Sequence, residues 1–203
     1  MKKTILVVGA HPDDIEIGCG GTVRNHVLKG DDVYYAIATD GEIGGDGKKR
    51  MGEALVASRE MGVKDVVFLG LPDSNVLHNG KSVGIVDAVF KKIKPSIVYT
   101  HSIKDTHQDH LSITKAVLSA SRGMKNSILC YESPSSMLRF NPIAFFDISD
   151  TFDMKVKCAS YFVSQGSRDY LEREMMASIA VFRGKIVGVK YAEAFEVMRL
   201  VGI

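Results

Sequence analysis

The chain has 203 residues, of which 45% are hydrophobic and 25% are charged, which is ordinary for a globular protein. A formal net charge of +2 gives no basic surplus that would favour nucleic acid or an anionic membrane, and the longest apolar runs are too short to span a bilayer. With three widely spaced cysteines and no signal-peptide pattern, we expect free thiols, a cytoplasmic location and no nucleic-acid or membrane partner.

Strands and helices alternate along the first two thirds of the chain. The predicted strands are Thr4–Ala10, Asp32–Thr39, Val66–Leu69, Ser96–Thr100 and Ile128–Tyr131. The predicted helices are Gly20–Lys29, Lys48–Met61, Val83–Ile93 and Asp109–Ser121. This alternation favours an α/β fold, a Rossmann-like three-layer α/β/α arrangement with a mostly parallel sheet, because parallel strands need crossover connections.

The last third of the chain breaks this alternation. One more strand is predicted at Phe145–Ile148, and helices are predicted at Phe152–Ser164, Arg168–Arg183 and Ala192–Leu200. At this length we expect a single domain over residues 1–203, with a Rossmann-like core at 1–132 and a helical or mixed C-terminal portion at 133–203.

Polar residues follow four of the predicted strands, at the carboxyl ends where open α/β sheets bind ligands. The four clusters are His11-Pro12-Asp13-Asp14, Thr39-Asp40-Gly41-Glu42, Leu71-Pro72-Asp73-Ser74 and the stretch from His101 to His110. Four of the six histidines belong to the first and last clusters. Because parallel strands end at one edge of the sheet, we expect a single crevice there.

The first and last clusters contain the donors of a catalytic zinc site, which uses three protein ligands and keeps one position open. We predict His11, Asp14 and His110 as the ligands of one zinc ion per chain, with another divalent metal such as Fe²⁺ also compatible. Asp13 then lies beside the ion as general base. His107 stabilises an oxyanion or protonates a leaving amine, a choice left open between His107 and Asp13, and Asp109 orients His107.

Each of these residues also has an ordinary structural interpretation. Asp13 or Asp14 is a favoured helix N-cap residue. His107 and His110 lie three residues apart and would share a solvated helix face. The Gly18-x-Gly20-Gly21 stretch is compatible with a dinucleotide loop but lacks the third glycine of that motif, so we interpret it as close helix–strand packing.

Two motifs together resemble a known family. The string Ala10-His11-Pro12-Asp13-Asp14-x-Glu16-x-Gly18-Cys19-Gly20-Gly21-Thr22 and the string Thr100-His101-x3-Asp105-x-His107-x-Asp109-His110 resemble the signatures of the zinc-dependent PIG-L/LmbE-like de-N-acetylases. Weaker matches are Thr39-x-Gly41-Glu42, Arg50-x2-Glu53-x3-Ala57 and Tyr191-Ala192-Glu193-Ala194-Phe195.

This resemblance implies hydrolysis of the N-acetyl group of an N-acetylglucosamine-like sugar conjugate on a Rossmann-like fold. It gives the zinc ligands, the base Asp13 and the oxyanion-facing His107 the same roles as above. It also implies that Arg50 contacts the substrate, and we add Glu42, Asp73 and Tyr191 as predicted substrate contacts. Because members of the family often assemble, we expect a homo-oligomer.

The chain departs from the family pattern on the side where substrate would lie. Phe162 stands where many members have a histidine before the Ser164-Gln165 pair, and Ser136-Met137-Leu138 lacks a usual aromatic residue. Two alternatives to a deacetylase remain: a metallo-hydrolase acting on another amide or on a phosphoester, and a non-catalytic Rossmann-like module that binds a sugar or nucleotide.

Overall fold

A computed structural model describes residues 2–202 and contains one seven-stranded sheet with six α-helices among those residues. The strands are β1 (Thr4–Gly9), β2 (Asp32–Ile37), β3 (Asp65–Phe68), β4 (Ile97–His101), β5 (Ser127–Tyr131), β6 (Ala144–Asp147) and β7 (Ala192–Arg199). The helices are α1 (Asp14–Leu28), α2 (Gly47–Met61), α3 (Gly80–Ile93), α4 (Gln108–Ala120), α5 (Phe152–Ala159) and α6 (Arg173–Val187).

The strands are ordered β3-β2-β1-β4-β5-β7-β6 across the sheet. The first five in this order are parallel, and β7 is antiparallel to both β5 and β6. The predicted α/β fold with a mostly parallel sheet is therefore confirmed. The strand order changes direction at β1, because β2 and β3 lie on one side of it and β4 and β5 lie on the other. Open α/β sheets bind ligands at such a switch point.

Side-chain alternation along the strands divides the core into two layers. On β1, Ile5 and Val7 pack with helices α1, α2 and α5, whereas Leu6 and Val8 pack with α3 and α4. Successive strand residues point to opposite faces, so a continuous apolar strand such as β1 is buried on both sides. This three-layer arrangement leaves the carboxyl ends of β1, β2 and β4 at one edge.

Two glycines let α1 lie close to its neighbours. A Cβ atom on Gly18 would overlap the ring of Tyr131 on β5, and one on Gly21 would lie 2.7 Å from side-chain atoms of Ile148. These contacts agree with the packing interpretation of the glycine-rich stretch. Gly62 ends α2 with φ of 88°, the left-handed conformation typical of a glycine that follows the last helical residue.

The predicted final helix Ala192–Leu200 is wrong, because Ala192–Arg199 is strand β7. Its alanine, glutamate and methionine residues have good helix propensity, but the segment pairs with β5 and β6 on its two sides. Tertiary pairing outweighs a propensity that amounts to less than about 1 kcal/mol per residue. The C-terminal portion is therefore mixed, and two of its segments extend the sheet.

Other predicted bounds shift by smaller amounts. Helix α1 begins at Asp14 rather than at Gly20, and Cys19 kinks it with φ of −148°. The predicted helix 152–164 ends at Ala159 and is followed by a short 3₁₀ helix, Val163–Gln165. The predicted helix 168–183 begins later, at Arg173, after a second 3₁₀ helix, Asp169–Leu171.

Within the part of the chain that the structure describes, no helix is both long and apolar enough to cross a bilayer. The three cysteines are buried and free, as predicted. A single domain over residues 1–203 stays a prediction.

Candidate metal centre and cavity

The turn after β1 presents the first cluster in a strained backbone conformation. Asp13 has φ of 107°, a positive value that residues other than glycine rarely adopt and that costs about 1–3 kcal/mol. Asp14 is the first residue of α1, and its Oδ2 accepts hydrogen bonds from the backbone N–H groups of Ala10 (3.0 Å) and His11 (2.7 Å). Asp13 makes no side-chain cap hydrogen bond, so the N-cap interpretation does not explain it.

The three predicted ligands meet at the carboxylate of Asp14. Its Oδ2 lies 3.3 Å from Nδ1 of His11, and its Oδ1 lies 3.4 Å from Nε2 of His110. All three side chains are largely buried. The first and fourth strand ends therefore converge, as expected from the topology.

Each of the two histidines has its other ring nitrogen against a buried carboxylate. Nε2 of His11 lies 3.3 Å from Asp109 Oδ2 and 3.1 Å from Asp73 Oδ1, and Nδ1 of His110 lies 3.0 Å from Asp105 Oδ2. Metal-ligating histidines characteristically donate their second N–H to such a carboxylate. The nitrogens left for an ion are Nδ1 of His11 and Nε2 of His110, the two that face Asp14.

The prediction that Asp109 orients His107 is wrong. The Asp109 carboxylate contacts His11 and accepts hydrogen bonds from the backbone N–H groups of Ser74 (2.7 Å) and Val76 (3.1 Å). Asp109 is the second residue of α4, and its side chain lies toward β1 and the loop after β3. Only its backbone N–H contacts the His107 ring, at Nδ1 and 3.2 Å.

His107 is the N-cap residue of α4 and is only partly buried. Its ring centroid lies 4.7 Å from that of His11 and 4.5 Å from that of His110. Since Nδ1 accepts the Asp109 N–H, a neutral His107 carries its proton on Nε2. Burial and the neighbouring charged histidines lower the pKa of His107, which favours that neutral form.

His101 is fully buried behind the site. Its ring stacks on that of His110 with centroids 3.7 Å apart, and its Nε2 accepts the backbone N–H of Ala10 at 3.1 Å. Burial, followed by repulsion from His110, lowers the pKa of His101 to about 4, so the ring is neutral. His101 therefore packs against a predicted ligand from the side away from the cavity.

Asp13 lies next to Arg50 at the bottom of the site. Oδ1 of Asp13 is 3.5 Å from Nη2 of Arg50, while Oδ2 is buried without a hydrogen-bond partner among the described residues. Arg50 is itself held by the backbone carbonyls of Gly41 (2.9 Å) and Pro12 (2.8 Å). Burial and repulsion from Asp14 raise the pKa of Asp13 to about 7.

Among the described residues, three groups of side chains each have donor atoms within 4.8 Å of one another, and the predicted set of His11, Asp14 and His110 is not itself one of these groups. They are His11 with His107 and His110, Asp14 with His101 and His110, and His11 with Asp73 and Asp109. The donor chemistry suits a divalent cation, because nitrogen and carboxylate oxygen are the ligands of catalytic zinc. Although burial opposes it, the carboxylates of Asp109, Asp14 and Asp73 raise the pKa of His11 to about 10. This field favours positive charge at the centre.

A cavity of about 350 Å³ opens above these residues. The predicted residues that line it are His11, Asp13, Asp14, Arg50, Asp73, His107 and His110. Its remaining wall includes Ser74, which belongs to the third predicted strand-end cluster, and also Ser135, Gln165, Arg168 and Tyr170, to which we had assigned no role. The three in the 165–170 segment lie in or beside short 3₁₀ helices, which carry no periodic hydrophobic signal. Asp105 was visible in the second motif but had no assigned role.

Two of the predicted substrate contacts are absent from the lining of this cavity. Glu42 is exposed, and its Oε1 accepts the backbone N–H of Asp73 at 3.1 Å, which joins two loops. The ring of Tyr191 stacks on that of Phe152 with centroids 4.2 Å apart. The structure therefore gives Tyr191 a packing contact in the C-terminal portion, and Tyr170 is the tyrosine that reaches the cavity.

Comparisons with known proteins relate the sequence and the fold of this chain to deacetylases. The family model described as GlcNAc-PI de-N-acetylase (PIG-L) matches residues 6–121. The uncharacterized deacetylase YaiS of Escherichia coli K12 is 34% identical, over 74% of this chain and 85% of that protein. The N,N'-diacetylchitobiose deacetylase of Pyrococcus horikoshii is 25% identical, with a TM-score of 0.84 over 97% of this chain and 84% of that one.

One structural neighbour has a different activity. The 4-carboxy-2-hydroxymuconate hydratase GalB of Pseudomonas putida KT2440 has a TM-score of 0.85 and 22% identity, over 100% of this chain and 98% of that chain. At that identity the likeness shows the fold alone. The fold alone therefore does not identify the reaction, and its identification depends on the sequence family and on the residues of the site.

Proposed function

We propose a function for this chain from one premise: it belongs to the GlcNAc-PI de-N-acetylase (PIG-L) family. The chain is a metal-dependent N-deacetylase that hydrolyses the acetamide of an N-acetylglucosamine-like sugar conjugate. The observation that carries this proposal is the buried Oδ2 of Asp13, which has no hydrogen-bond partner among the described residues, in a cavity where two histidine nitrogens face Asp14. A carboxylate in that position suits a general base for water.

His11, Asp14 and His110 would hold one divalent ion, for which we propose zinc. When bound, the ion supplies Lewis-acid activation of a water molecule and of the acetyl carbonyl. The contacts of the two imidazole rings support these ligands. Nδ1 of His110 and Nε2 of His11 already face carboxylates, which leaves the other nitrogen of each ring for the ion. His101 is a weaker ligand candidate, since its Nε2 accepts the Ala10 N–H.

Asp13 takes the proton from the attacking water as the water oxygen bonds to the acetyl carbon. The backbone conformation of Asp13 and its contact with Arg50 fix the carboxylate at the cavity floor. A mobile carboxylate would be poorly aligned with the attacking water. Arg50 thus pairs with Asp13 and donates hydrogen bonds to the backbone carbonyls of Gly41 and Pro12. We assign Arg50 to the positioning of the base as well as to the cavity wall.

His107 donates its Nε2–H to the oxyanion that forms at the acetyl carbonyl. One well-placed donor of this kind contributes about 3–4 kcal/mol to stabilising the transition state. The C–N bond then breaks, and the leaving nitrogen takes the proton that Asp13 accepted. The products are the free amine and acetic acid, which loses its proton to solvent as acetate, and the base returns to its carboxylate form.

The sugar conjugate lies between the Asp73–Ser74 turn and the 165–170 segment. A cavity of about 350 Å³ is within the usual range for small-ligand sites, which begins near 300 Å³. Arg168 and Tyr170 at the wall supply a cation and a phenol that can contact the part of the substrate beyond the acetamide. The side chains in this part of the wall would determine which aglycone the enzyme accepts.

An amine-release assay tests the proposal. The substrates are N,N'-diacetylchitobiose and the N-acetylglucosamine conjugates of malate and of inositol. We expect equal amounts of amine and acetate from at least one of them, loss of activity after chelation, and recovery with about one equivalent of zinc. Metal-loaded protein that releases no amine from any conjugate would overturn the sugar assignment. Undiminished turnover by metal-free protein would overturn the metal requirement.

A further inference from the structure

Asp105 lies in the loop between β4 and α4 and is completely buried. Its two carboxylate oxygens accept four hydrogen bonds, two on each oxygen. Oδ2 accepts from His110 Nδ1 (3.0 Å) and from the Ser133 hydroxyl (2.6 Å). Oδ1 accepts from the Ser135 hydroxyl (2.7 Å) and from the backbone N–H of His107 (2.8 Å).

All four partners of Asp105 donate, so the group at this position has to be an acceptor only. A carboxylate meets that requirement. In an amide of the same shape, the NH₂ group is itself a donor, so it would face two other donors with no acceptor between them. Buried carboxylates with several donors of this kind are strongly preferred in the ionised form. The network thus selects aspartate for a chemical reason, beyond the filling of space.

The network also fixes which nitrogen of His110 faces the cavity. With Nδ1–H donated to Asp105, Nε2 is the ring nitrogen that faces Asp14 Oδ1, 3.4 Å away. Ser135 stands within 3.4 Å of the same Nδ1 and also lines the cavity. The His101 ring stacks on a face of the imidazole, with the ring centroids 3.7 Å apart.

The loop that supplies Ser133 and Ser135 is fastened to the Asp105 loop by its backbone. Thr106 N–H donates to the Ser135 carbonyl (3.0 Å), and Met137 N–H donates to the Lys104 carbonyl (2.8 Å). Asp105 and Ser136 form an isolated β-bridge. The two serine hydroxyls are therefore held in register with the carboxylate that they contact.

We infer that Asp105, held by Ser133 and Ser135, is a positioning residue that sets the tautomer and orientation of His110 for metal binding. This inference rests on the proposed metal-dependent function. Asp105 does not itself face the cavity, and it acts through the imidazole of His110. Loss of a carboxylate behind a metal-ligating histidine typically weakens metal affinity about 10–100-fold.

The test is the zinc dissociation constant of the purified full-length protein, measured by competition with a chromophoric chelator. We expect Asp105→Asn to weaken zinc binding about 10–100-fold. The double variant Ser133→Ala/Ser135→Ala keeps the carboxylate and should weaken binding less. The absorption spectrum of the cobalt-substituted protein should change in both variants, because the His110 ligand is no longer held in one orientation.

Glu196→Gln is the matched control. Glu196 is a buried carboxylate that fastens the same loop, through Ser102 Oγ (2.6 Å) and Lys104 Nζ (2.6 Å), but it contacts no predicted ligand. A merely structural effect would lower the unfolding midpoint of Glu196→Gln and Asp105→Asn alike and leave zinc affinity unchanged in the folded protein.

Four outcomes separate the two proposals. Weakened zinc binding in Asp105→Asn, without a matching change in Glu196→Gln, supports the inference even if no conjugate is deacetylated. Unchanged zinc affinity and cobalt spectrum in Asp105→Asn overturn the inference and leave the deacetylase proposal standing. If Asp105→Asn does not fold, unchanged affinity in the double serine variant overturns the inference. Wild-type protein that binds no divalent ion overturns both.

Discussion

Residues 4–131 and residues 132–202 divide the work of this molecule. The first region supplies every reacting group that we propose: His11, Asp13, Asp14, His107 and His110 come from the ends of β1 and β4. The second region supplies part of the cavity wall and buried charges that hold the loops of the first. The proposed chemistry is therefore carried by short stretches of sequence, whereas distant segments contribute to the rigidity and shape of the site.

Strand β7 shows how the second region acts on the first. Glu193 accepts hydrogen bonds from the backbone N–H groups of Gly21 (3.0 Å) and Thr22 (2.7 Å), just after the kink in α1, and from Lys155 Nζ (2.6 Å). These amides follow the non-helical residue Cys19, after which the helix starts again, and amides at the start of a helix need acceptors from outside it. The β7 carboxylate therefore stabilises the helix that begins at Asp14.

The largest effect should follow from a change in the first region. Asp13→Asn keeps the size of the side chain but removes the base, and we expect kcat for amine release to fall about 10²–10⁴-fold. Metal content, measured by elemental analysis, should stay at the wild-type value. Asp150→Asn, at an exposed position, is the matched control and should retain activity. Loss of the metal from Asp13→Asn would show that Asp13 is a ligand.

The next effect tests the second region. Glu193→Ala leaves the buried Lys155 ammonium and two backbone N–H groups without their acceptor, which we expect to cost about 3–5 kcal/mol of unfolding free energy. For a chain of this size the unfolding midpoint should fall by roughly 10 °C, measured by circular dichroism. Asp153→Ala removes an exposed ion pair with Arg173 and should leave the midpoint nearly unchanged. Equal midpoints for the two variants would refute this role of β7.

The smallest effect concerns the contact between the two regions. Gly21→Ala places a Cβ 2.7 Å from the buried Ile148 side chain, and we expect this overpacking to cost about 1–3 kcal/mol. Gly52→Ala is the matched control in an open part of helix α2, where no atom lies within 4 Å of the added Cβ. It should raise the unfolding free energy by about 0.5–1 kcal/mol. Urea unfolding of both variants measures the sign, and a destabilised Gly52→Ala or a stabilised Gly21→Ala would contradict the packing interpretation.

The first region could be predicted well because its signals are local. Continuous apolar runs such as Ile5–Val8 mark strands buried on both faces, and helices of regular length separate them. The second region was predicted less well because β7 depends on pairing with β5, more than sixty residues away in sequence. Helix propensity favoured the wrong element there.

The same contrast applies within the site. Residue types and strand ends identified His11, Asp14 and His110 as a group. They could not identify the partner of each carboxylate, and Asp109 proved to contact His11 rather than His107. That choice depends on the direction of one side chain at the start of α4, which spacing does not encode.

The α/β class and the family follow from the amino-acid sequence alone, as does the set of residues to which we propose catalytic roles, because all three depend on local patterning and on residue chemistry. Three features became visible only in the folded structure: the strand identity of β7, the buried network around Asp105 and the wall formed by Gln165, Arg168 and Tyr170. These features arise from contacts between segments far apart in the chain. Their free energy comes from burial and from hydrogen bonds that exist only once the chain has folded.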